Sequence, residues 1–525
     1  MSNTTTLSIL NVPLENDYNH TFYFANKNAQ QSYFSSLVGM EFDDFNYQRK
    51  DKKIRVPFDY DVLVGFNYVM YKNKAKSDKW YYAFITNIEY VSEGVSYIEI
   101  ETDVMQTWMF DYTVKRSFVE REHVSDDTIG LHTVDEGLAL GDYTINMHLK
   151  DEDLFPSNKI VIGSTEVPSG EGQWTGGVYN GIYSGVRYYA YAKDGVTTAL
   201  NYLADAGKID AVSSIFLAPE FLIEGSGGGP VAESTNAPNY TYFFPKNYKL
   251  DGYSPKNNKL KCYPYNYVMV SNGNGGTAEY CYEYFDECVI DYEGLGKVDC
   301  CTFSVFGVLT PGCSIRMMPS IYKGVQIPEA YGLNLGKYPQ CNWATDQYTN
   351  WLTQNGVNIA TSIVNAGASM VGGAIMGSMA GGPLGTIGGA VAGGLSGATQ
   401  IANVMNEVRN ADRVPPQTQG NVNCGDVVTA SKHNTFNYYA MSIKKEYAQI
   451  IDGYFNMFGY KVNMVKTPNT NHRQNYWYIK TIDVNITGAI PNQDMQKIKN
   501  CYNKGITFWK NASNMKDYSV SNNIV

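Results

Sequence analysis

The residues able to do chemistry are few and scattered along this chain. Three acidic runs, Asp43-Asp44, Asp126-Asp127 and Asp151-Glu152-Asp153, are of the type that supplies a general acid and base for glycan cleavage. Adjacent charges in loops are usually solvated surface, so the sequence favours no catalytic role for them. His123 and His132 are too far apart in sequence for a short metal-ligand pair. We interpret His123 as a strand residue with a hydrogen-bonded ring.

The motifs of the common enzyme classes are missing. GxSxG, HExxH, Walker A and paired CxxC patterns do not occur. The nine cysteines include no CxxC spacing, and histidine is scarce, so no zinc site is predicted. We interpret the cysteines as reduced thiols of a protein folded in a cytoplasm. The sequence therefore predicts a non-enzymatic protein with no metal and no cofactor.

Composition limits the class of protein further. The length of 525 residues suits two to four domains, and the 43 tyrosines suit half-buried sheet faces and subunit contacts. A net charge of -10 argues against a protein that grips phosphates, but it is compatible with a channel through which DNA slides. Met1–Leu10 has neither the basic nor the apolar part of a signal peptide, so we expect no secretion by the standard route.

The first 120 residues predict strands and hairpins. Trp80–Tyr90 is an aromatic and β-branched run, the residues up to Gly94 form a turn, and Tyr97–Glu101 alternates isoleucine with glutamate. This pattern predicts an antiparallel hairpin with one wet face. Asp103 is placed to cap a short helical turn after it. From about Asp126 to Cys341, dense turn signals between short apolar runs predict a second β-rich module, with one helix at Thr198–Ala206.

The last hundred residues show a helical stripe that ends at Gly459. Its members are Tyr447, Ile450, Ile451, Tyr454, Phe455 and Phe458. Strands and a second helix follow in the order of a split βαβ unit. The predicted elements are strands Phe436–Ile443, Tyr460–Val465 and Tyr476–Ile486, the helix Asn492–Lys504 closed by Gly505, and the strand Ile506–Trp509.

One long segment has no charge. The sixty residues from Gln347 to Asn406 contain no Asp, Glu, Lys or Arg, although the chain average of 18% would give about eleven. Gly382-Pro383 marks a turn between two apolar arms, Asn358–Ala380 and Leu384–Val404. Each arm has about twenty residues, enough to cross a hydrocarbon core of ~30 Å as a helix. The segment is therefore predicted to insert into a membrane.

Two sets of residues carry that prediction. Glycines at intervals of four form a smooth ridge that allows close helix packing in a membrane, whereas each costs ~0.5–1 kcal/mol relative to alanine in water. The ridge is Gly373, Gly377, Gly381, Gly385, Gly389, Gly393 and Gly397. The membrane-inserting apolar residues are Ile359, Ile363, Val364, Met370, Val371, Ile375, Met376, Met379, Leu384, Ile387, Val391, Leu395, Ile401 and Val404. A buried hairpin in a soluble core and a low-complexity loop remain alternatives.

Several short blocks at both ends of the chain resemble the distal tail-knob proteins of phi29-like podophages of Gram-positive bacteria. The blocks include Val12–Tyr18, Lys79–Phe84, Glu101–Asp111, Phe118–His123, Val134–Leu138, Val414–Gln417, Tyr460–Asn463, Lys466–Asn469 and Asn503–Trp509. They occur in the family's order, with the apolar segment in the expected place. No matching block is recognised between Ala139 and Gln340.

The resemblance implies a mainly β fold with α+β elements. A ring-forming tail-tube domain would comprise residues 1–125 and 411–525, the latter βαββαβ-like, with an inserted β-rich module at 126–345 and the apolar loop at 346–410. It also implies a homohexameric, DNA-conducting tube at the virion tail tip, assembled in the host cytoplasm and plugged by the loops before infection. The partners implied are further copies of the chain, the proximal tail or lower collar protein, the host cytoplasmic membrane, and double-stranded DNA in transit without sequence specificity. A pore-forming toxin and a wall-binding or wall-degrading tail-tip protein are the alternatives.

Overall fold

The computed structural model of the chain describes the following residues. They are 5–43, 45, 52–73, 77–151, 158–168, 178–179, 182–183, 187–191, 193–222, 229–230, 239–294, 296–307, 315–323, 332–336, 338, 340–343, 420–423 and 435–525. Their contacts divide the chain into two units. Unit 1 comprises Met1–Gly141, Pro255–Leu260 and Lys445–Val525, and unit 2 comprises Asp142–Ser254 and Lys261–Lys444. The finer division into four parts stays a prediction.

The described residues are mainly strands, numbered here in chain order. The helices are α1 (Lys27–Ser35), α2 (Tyr60–Leu63), α3 (Val104–Trp108), α4 (Lys193–Asp205), α5 (Lys445–Phe458) and α6 (Asn492–Lys504). The first strands are β1 (Thr5–Leu10), β2 (His20–Phe22), β3 (Val38–Asp43), β4 (Lys53–Val56), β5 (Tyr68–Asn73), β6 (Ser77–Ser92), β7 (Val95–Thr102), β8 (Tyr112–Val114) and β9 (Ser117–Glu122).

The remaining strands run from unit 2 into the C-terminal part of unit 1. Those of unit 2 are β10 (Tyr143–Lys150), β11 (Asn158–Ser164), β12 (Val178–Tyr179), β13 (Ile182–Tyr183), β14 (Arg187–Tyr191), β15 (Val212–Pro219), β16 (Gly229–Pro230), β17 (Asn239–Pro245), β18 (Asn266–Ser271), β19 (Thr277–Cys281), β20 (Val289–Tyr292), β21 (Gly296–Gly307), β22 (Ile315–Pro319), β23 (Leu333–Asn334), β24 (Gln340–Trp343), β25 (Gly420–Asn423) and β26 (Asn437–Ile443). The last four are β27 (Tyr460–Lys466), β28 (Tyr476–Ile482), β29 (Ile486–Gly488) and β30 (Ile506–Trp509).

The first sheet of unit 1 is antiparallel, in the order β3-β1-β5-β6-β7-β4. It contains the hairpin predicted from the aromatic run, with Gly94 in the left-handed conformation at the turn. Ile98 and Ile100 are buried and the glutamates between them are half-exposed, so the predicted wet face is confirmed. After the hairpin, the Asp103 carboxylate accepts hydrogen bonds from two backbone N–H groups of α3, which confirms the predicted cap.

The second sheet of unit 1 has the order β2-β30-β28-β9-β27. Helices α5 and α6 end at Gly459 and Gly505, both with positive φ, as the sequence predicts. Strand β26 begins one residue later than predicted and β27 ends one residue later. The strand predicted at Tyr476–Ile486 ends at Ile482, and a separate strand, β29, begins at Ile486. β29 pairs with β8 in a small separate sheet.

The predicted split βαβ unit is wrong. Strand β26, its first member, pairs with β10 and β18 in unit 2. The N-terminal strand β9 instead lies between β27 and β28. The physical reason is burial, because β26 packs Tyr438 and Ala440 into the core of unit 2. The order of strands along the chain does not show which of the two sheets β26 joins.

The helical stripe of α5 is also partly wrong. Ile450 is 70% exposed, and Tyr447, Tyr454 and Phe458 are only half-buried. The buried face consists of Ala448, Ile451, Asp452 and Phe455. The helix is therefore turned so that it buries a carboxylate, because that carboxylate has hydrogen-bond donors to satisfy it.

The inserted module at 126–345 stays a prediction, but unit 2 is rich in strands. Its sheets have the orders β10-β26-β18-β19, β16-β14-β11-β15-β24-β25, and β17-β21-β22-β23 with β20 added to β21; β12 and β13 form a separate hairpin. Helix α4 confirms the helix predicted at Thr198–Ala206, although it begins five residues earlier, at Lys193. One apolar cluster joins the three large sheets, with Phe216, Phe303 and Tyr438 among its fully buried members.

Candidate functional site

A short β-ladder pairs the chain before the charge-free segment with the chain after it; three residues separate the ladder from Gln347 and thirteen separate it from Asn406. Strands β24 and β25 are antiparallel, with Gln340 opposite Asn423 and Trp343 opposite Gly420. All residues between Trp343 and Gly420 lie outside the described residues. These include every predicted membrane-inserting residue from Ile359 to Val404, the glycine ridge, and the turn at Gly382-Pro383. Those assignments stay predictions, whereas the ladder of the flanking strands is observed.

The core of unit 2 supports this ladder, which we call the stem. Strand β24 pairs with β15 through Phe216 opposite Gln340 and Ser214 opposite Asn342. Strand β15 is buried along most of its length, and Ile215 and Phe216 belong to the unit 2 core. Because β15 is central in its sheet, the stem is an extension of a well-packed strand. The strands on either side of residues 344–419 therefore lie side by side in one sheet of unit 2.

No helix in the described ranges is long and apolar enough to span a bilayer. Within those ranges there is also no cluster of histidine, cysteine and carboxylate side chains able to hold a metal ion. Six cysteines of this part of the chain are free thiols: Cys262, Cys281, Cys288, Cys300, Cys301 and Cys501.

His123 is a buried residue with both ring nitrogens in hydrogen bonds. Its Nδ1 accepts from the backbone N–H of Tyr478 at 2.7 Å, and Nε2 lies 3.1 Å from the carbonyl oxygen of Asn456. Burial, with a smaller contribution from Arg473, lowers the pKa of His123 to about 3. The ring is therefore neutral and fixed, which confirms the hydrogen-bonded ring interpreted from the sequence, although His123 lies one residue after the end of β9.

The acidic runs have structural partners. Asp126 accepts hydrogen bonds from the backbone N–H and hydroxyl of Thr128, an arrangement typical of a turn. Asp127 accepts from the hydroxyl of Tyr460 at 2.7 Å and from a backbone N–H at 3.0 Å. Asp43 accepts a hydrogen bond from the hydroxyl of Thr6, and Asp151 accepts one from the hydroxyl of Tyr240. The described carboxylates of the acidic runs therefore make hydrogen bonds within the fold. Asp44, Glu152 and Asp153 lie outside the described residues.

A buried ionic cluster lies in unit 1. The carboxylate of Glu136 has no exposed side-chain surface and pairs with both Arg121 and Lys259. Lys259 lies in the short peptide Pro255–Leu260, which enters unit 1 between two stretches of unit 2. The backbone N–H of Lys461 also donates to Glu136 at 2.9 Å. One carboxylate thus joins the N-terminal part, the entering peptide and β27.

A second buried carboxylate fixes the same peptide. Asp452 on α5 accepts hydrogen bonds from the backbone N–H groups of Lys256 and Asn257, at 2.8 and 3.1 Å. The side-chain amide of Asn257 donates to it at 2.8 Å. These bonds explain why α5 buries a charged residue. We call residues Pro255–Leu260, held by Asp452 and Glu136, the return peptide.

Glu122 anchors the loop after β27. Its buried carboxylate accepts from Lys466 at 2.5 Å and from the backbone N–H of Asn469 at 2.7 Å. Glu122 lies in the block Phe118–His123 and Lys466 in the block Lys466–Asn469, both of which carry the family resemblance. Those blocks are therefore structural contacts between the two ends of unit 1.

Comparisons with known proteins point to one protein family. The family model for the C-terminal domain of tail knob protein gp9 of Bacillus phage phi29 matches residues 233–523, more than half of the chain. The chain belongs to this tail knob family. It is a structural component of a phage tail. A model of the N-terminus of caudoviral major tail proteins matches residues 2–113.

Full-length relatives extend the similarity over the whole chain. Tail knob protein gp9 of Bacillus phage B103 is 27% identical over 594 aligned residues, covering 98% of this chain and 97% of the relative. The phi29 tail knob protein gp9 is 24% identical, covering 100% of this chain and 99% of the relative. The solved structure of the bacteriophage C1 tail knob protein gp12 matches 99% of this chain with a TM-score of 0.59 at 14% identity, which supports the fold.

The tail knob similarity also covers the middle of the chain, where no block was recognised from the sequence. Short motifs are hard to see there because unit 2 consists of many short strands and turns. Sequence reasoning also missed the ionic cluster and the return peptide. The block Val134–Leu138, which contains Glu136, was the available signal, but its partners lie far away along the chain.

Proposed function

We propose that this tail knob protein forms a homohexameric tube at the tail tip, and that its apolar segments open the host cytoplasmic membrane for genome ejection. The tail location follows from the family. The tube, the hexamer and the membrane channel go beyond it. They rest on the charge-free segment, the stem and the physical arguments that follow.

The stem carries the proposal. An apolar hairpin that crosses a membrane and returns must have both ends on the same side, and β24 and β25 place the chain before the hairpin beside the chain after it. Each predicted arm is long enough for the ~30 Å hydrocarbon core. The stem would keep the inserted hairpin attached to the tail knob. Each subunit would thereby deliver two helices to one place.

A ring provides the shelter that such segments need before infection. Twelve apolar arms, two from each of six copies, would aggregate if they were exposed on a soluble particle. The interior of a tube removes them from contact with other particles. The match of residues 2–113 to caudoviral major tail proteins supports a tube-forming role for the first sheet of unit 1.

The proposed partners follow from this position. One end of the tube would contact the proximal tail or lower collar protein, and the other would meet the cytoplasmic membrane. Double-stranded DNA would pass through the tube without sequence-specific contacts. The net charge of -10 suits this role, because an acidic chain repels phosphates and does not retain them.

A deletion that follows the stem tests the proposal. Trp343 and Gly420 are directly opposite, so a two-residue Asn-Gly turn can replace residues 344–419 and close β24 and β25 as a hairpin. We expect this variant to form the same ring as the intact protein and to release no dye from anionic liposomes. The intact protein should release dye.

A length-matched control separates apolar character from chain length. In this variant, residues 344–419 are replaced by a Gly/Ser linker of equal length, and ring size is measured by native mass spectrometry for all three proteins. Leakage by the linker variant, or by none of the proteins, would show that the apolar segment is not the membrane effector. Failure of both variants to form rings would instead show that the segment has a structural role in assembly.

A further inference from the structure

Two cysteines of unit 2 lie opposite each other on neighbouring strands. β20 and β21 are antiparallel, with Val289 opposite Asp299, so the next position in the register places Cys288 opposite Cys300. A backbone hydrogen bond of 2.9 Å from the Cys300 N–H to the Cys288 carbonyl oxygen confirms this pairing. Both residues are free thiols in the structure.

The pairing geometry suits a disulfide. Directly opposite residues of an antiparallel pair project to the same face, with Cα atoms about 4.5–5.5 Å apart. Only one of the two backbone bonds of this pair is present, because the N–H of Cys288 donates to the Asp299 carboxylate at 3.1 Å. Disulfides span Cα separations of about 4.4–6.8 Å, which includes this range. Joining Cys288 to Cys300 therefore requires rotation of the side chains and no change of register.

The neighbouring cysteine cannot take part. Cys301 follows Cys300 on β21, so its side chain projects to the opposite face of the sheet. It is fully buried in the unit 2 core with Phe303 and Val305. The fold thus selects one of two adjacent cysteines as the partner of Cys288.

The two paired thiols differ in their surroundings. Cys288 is half-buried, so a small oxidant in solution can reach it, whereas Cys300 is fully buried. Burial raises the pKa of Cys300 to about 11, with a smaller contribution from Cys288. Cys300 is therefore protonated at neutral pH, and the first oxidation falls on Cys288.

We propose that Cys288 and Cys300 form a reversible disulfide once the tail particle leaves the reducing cytoplasm of its host. Two S–H bonds break and one S–S bond forms. The two electrons and two protons pass to dioxygen, giving hydrogen peroxide. Diamide, a two-electron oxidant that becomes a hydrazine, can replace dioxygen in the laboratory. The reduced state suits assembly in the cell, and the oxidised state suits the free particle.

The crosslink would fasten a weakly held strand. Among the described residues β20 pairs only with β21, through four register pairs. A bond just before β20 closes the hairpin at its open end, opposite the turn at Gly294. Opening this hairpin would then require reduction as well as the loss of backbone hydrogen bonds. The tail knob would gain local stability after release, while both thiols would stay reduced during assembly.

Peptide mapping of the full-length protein tests the pairing. The reduced protein is treated with diamide, blocked with N-ethylmaleimide and digested without reductant, and fragmentation of the linked peptide assigns each sulfur. We expect a Cys288–Cys300 link that glutathione reverses. It should persist in Cys301→Ala and in the control Cys281→Ala, whose cross-strand neighbour is Tyr267. It should be lost in Cys300→Ala.

The same mapping on phage particles tests the biological step. Particles blocked at the moment of lysis should carry mainly reduced Cys288, and particles stored in aerated medium should carry the link. Reduced Cys288 in both samples, or a link from Cys288 to Cys301, would overturn the proposal. Because fragmentation distinguishes the adjacent cysteines in the wild-type protein, this result does not depend on the folding of any variant.

Discussion

Lowering the pH is expected to destabilise unit 1 through the ring of His123. In the folded protein this ring is buried and neutral, with a pKa of about 3. In the unfolded chain a histidine has its ordinary pKa of 6.5. At pH 5 the unfolded state therefore binds a proton that the folded state does not bind. Acid therefore favours unfolding, and His123 lowers the free energy of unfolding increasingly as the pH falls below 6.5.

The size of the effect follows from the two pKa values. Proton linkage gives a loss of about 2 kcal/mol at pH 5 relative to pH 8. Asp103 acts in the opposite direction, because burial raises its pKa to about 6 and the folded state takes up a proton first. The total pH dependence of unit 1 is therefore smaller than the contribution of His123. A variant that lacks only the histidine separates the two.

His123→Gln is that variant. Its side-chain amide is neutral at every pH and retains hydrogen-bonding groups facing Asn456 and Tyr478, whereas Asp103 is unchanged. Urea unfolding followed by tryptophan fluorescence reports on unit 1, since four of the seven tryptophans, Trp80, Trp108, Trp477 and Trp509, lie in it. We expect the wild-type protein to lose about 2 kcal/mol more than the variant between pH 8 and pH 5.

Equal losses in the two proteins would refute the reasoning. That result would mean that the ring titrates alike in the folded and unfolded states, and so is not held neutral by burial. A lower stability of the variant at both pH values would be compatible with the argument. The quantity that decides is the difference in pH dependence.

Two further substitutions test the contacts that join the parts of unit 1. Asp452→Ala removes the acceptor for the backbone N–H groups of Lys256 and Asn257, and we expect a loss of about 3 kcal/mol in the free energy of unfolding measured in urea. Gly459→Ala places a side chain at a φ of +64° against the backbone of Glu122, and a loss of about 3 kcal/mol is expected in the same assay.

Each substitution has a matched control on α5. Glu446 is exposed, so Glu446→Ala should change the free energy of unfolding by less than about 0.5 kcal/mol. Gly453 has free space around its Cα, so Gly453→Ala should leave the stability unchanged or raise it by up to about 1 kcal/mol. Losses at the controls as large as those at Asp452 and Gly459 would show that α5 tolerates no change, and that the named contacts are not the cause.

Local features of the fold could be predicted from the sequence. The bounds of α6, Asn492–Lys504, were predicted because its apolar period and the glycine after it both lie within a few residues of the helix. The cap at Asp103 and the hairpin of β6 and β7 depend on similarly short distances along the chain. All residues that form such a signal lie close together in the sequence, so the sequence alone is enough to detect it.

Features set by distant partners could not be predicted. The position of β26 depends on pairing with β10, about three hundred residues earlier, and on the core that both strands cover. The burial of Asp452 in place of Ile450 depends on the return peptide, which lies about two hundred residues earlier in the chain. For the charge-free segment, composition predicts a preferred environment, and the stem adds only that the flanking strands lie side by side.

The interleaving of the two units also fixes an order of events on the ribosome. Strand β9 is synthesised before unit 2, but its neighbours β27 and β28 follow unit 2. At about 5–20 residues per second, β9 waits on the order of tens of seconds for them. Unit 2 can fold during this interval, while the second sheet of unit 1 cannot close until β30 has left the exit tunnel. A chain cut short by an incomplete message lacks that sheet, so only full-length chains can present a finished unit 1 to a growing tail.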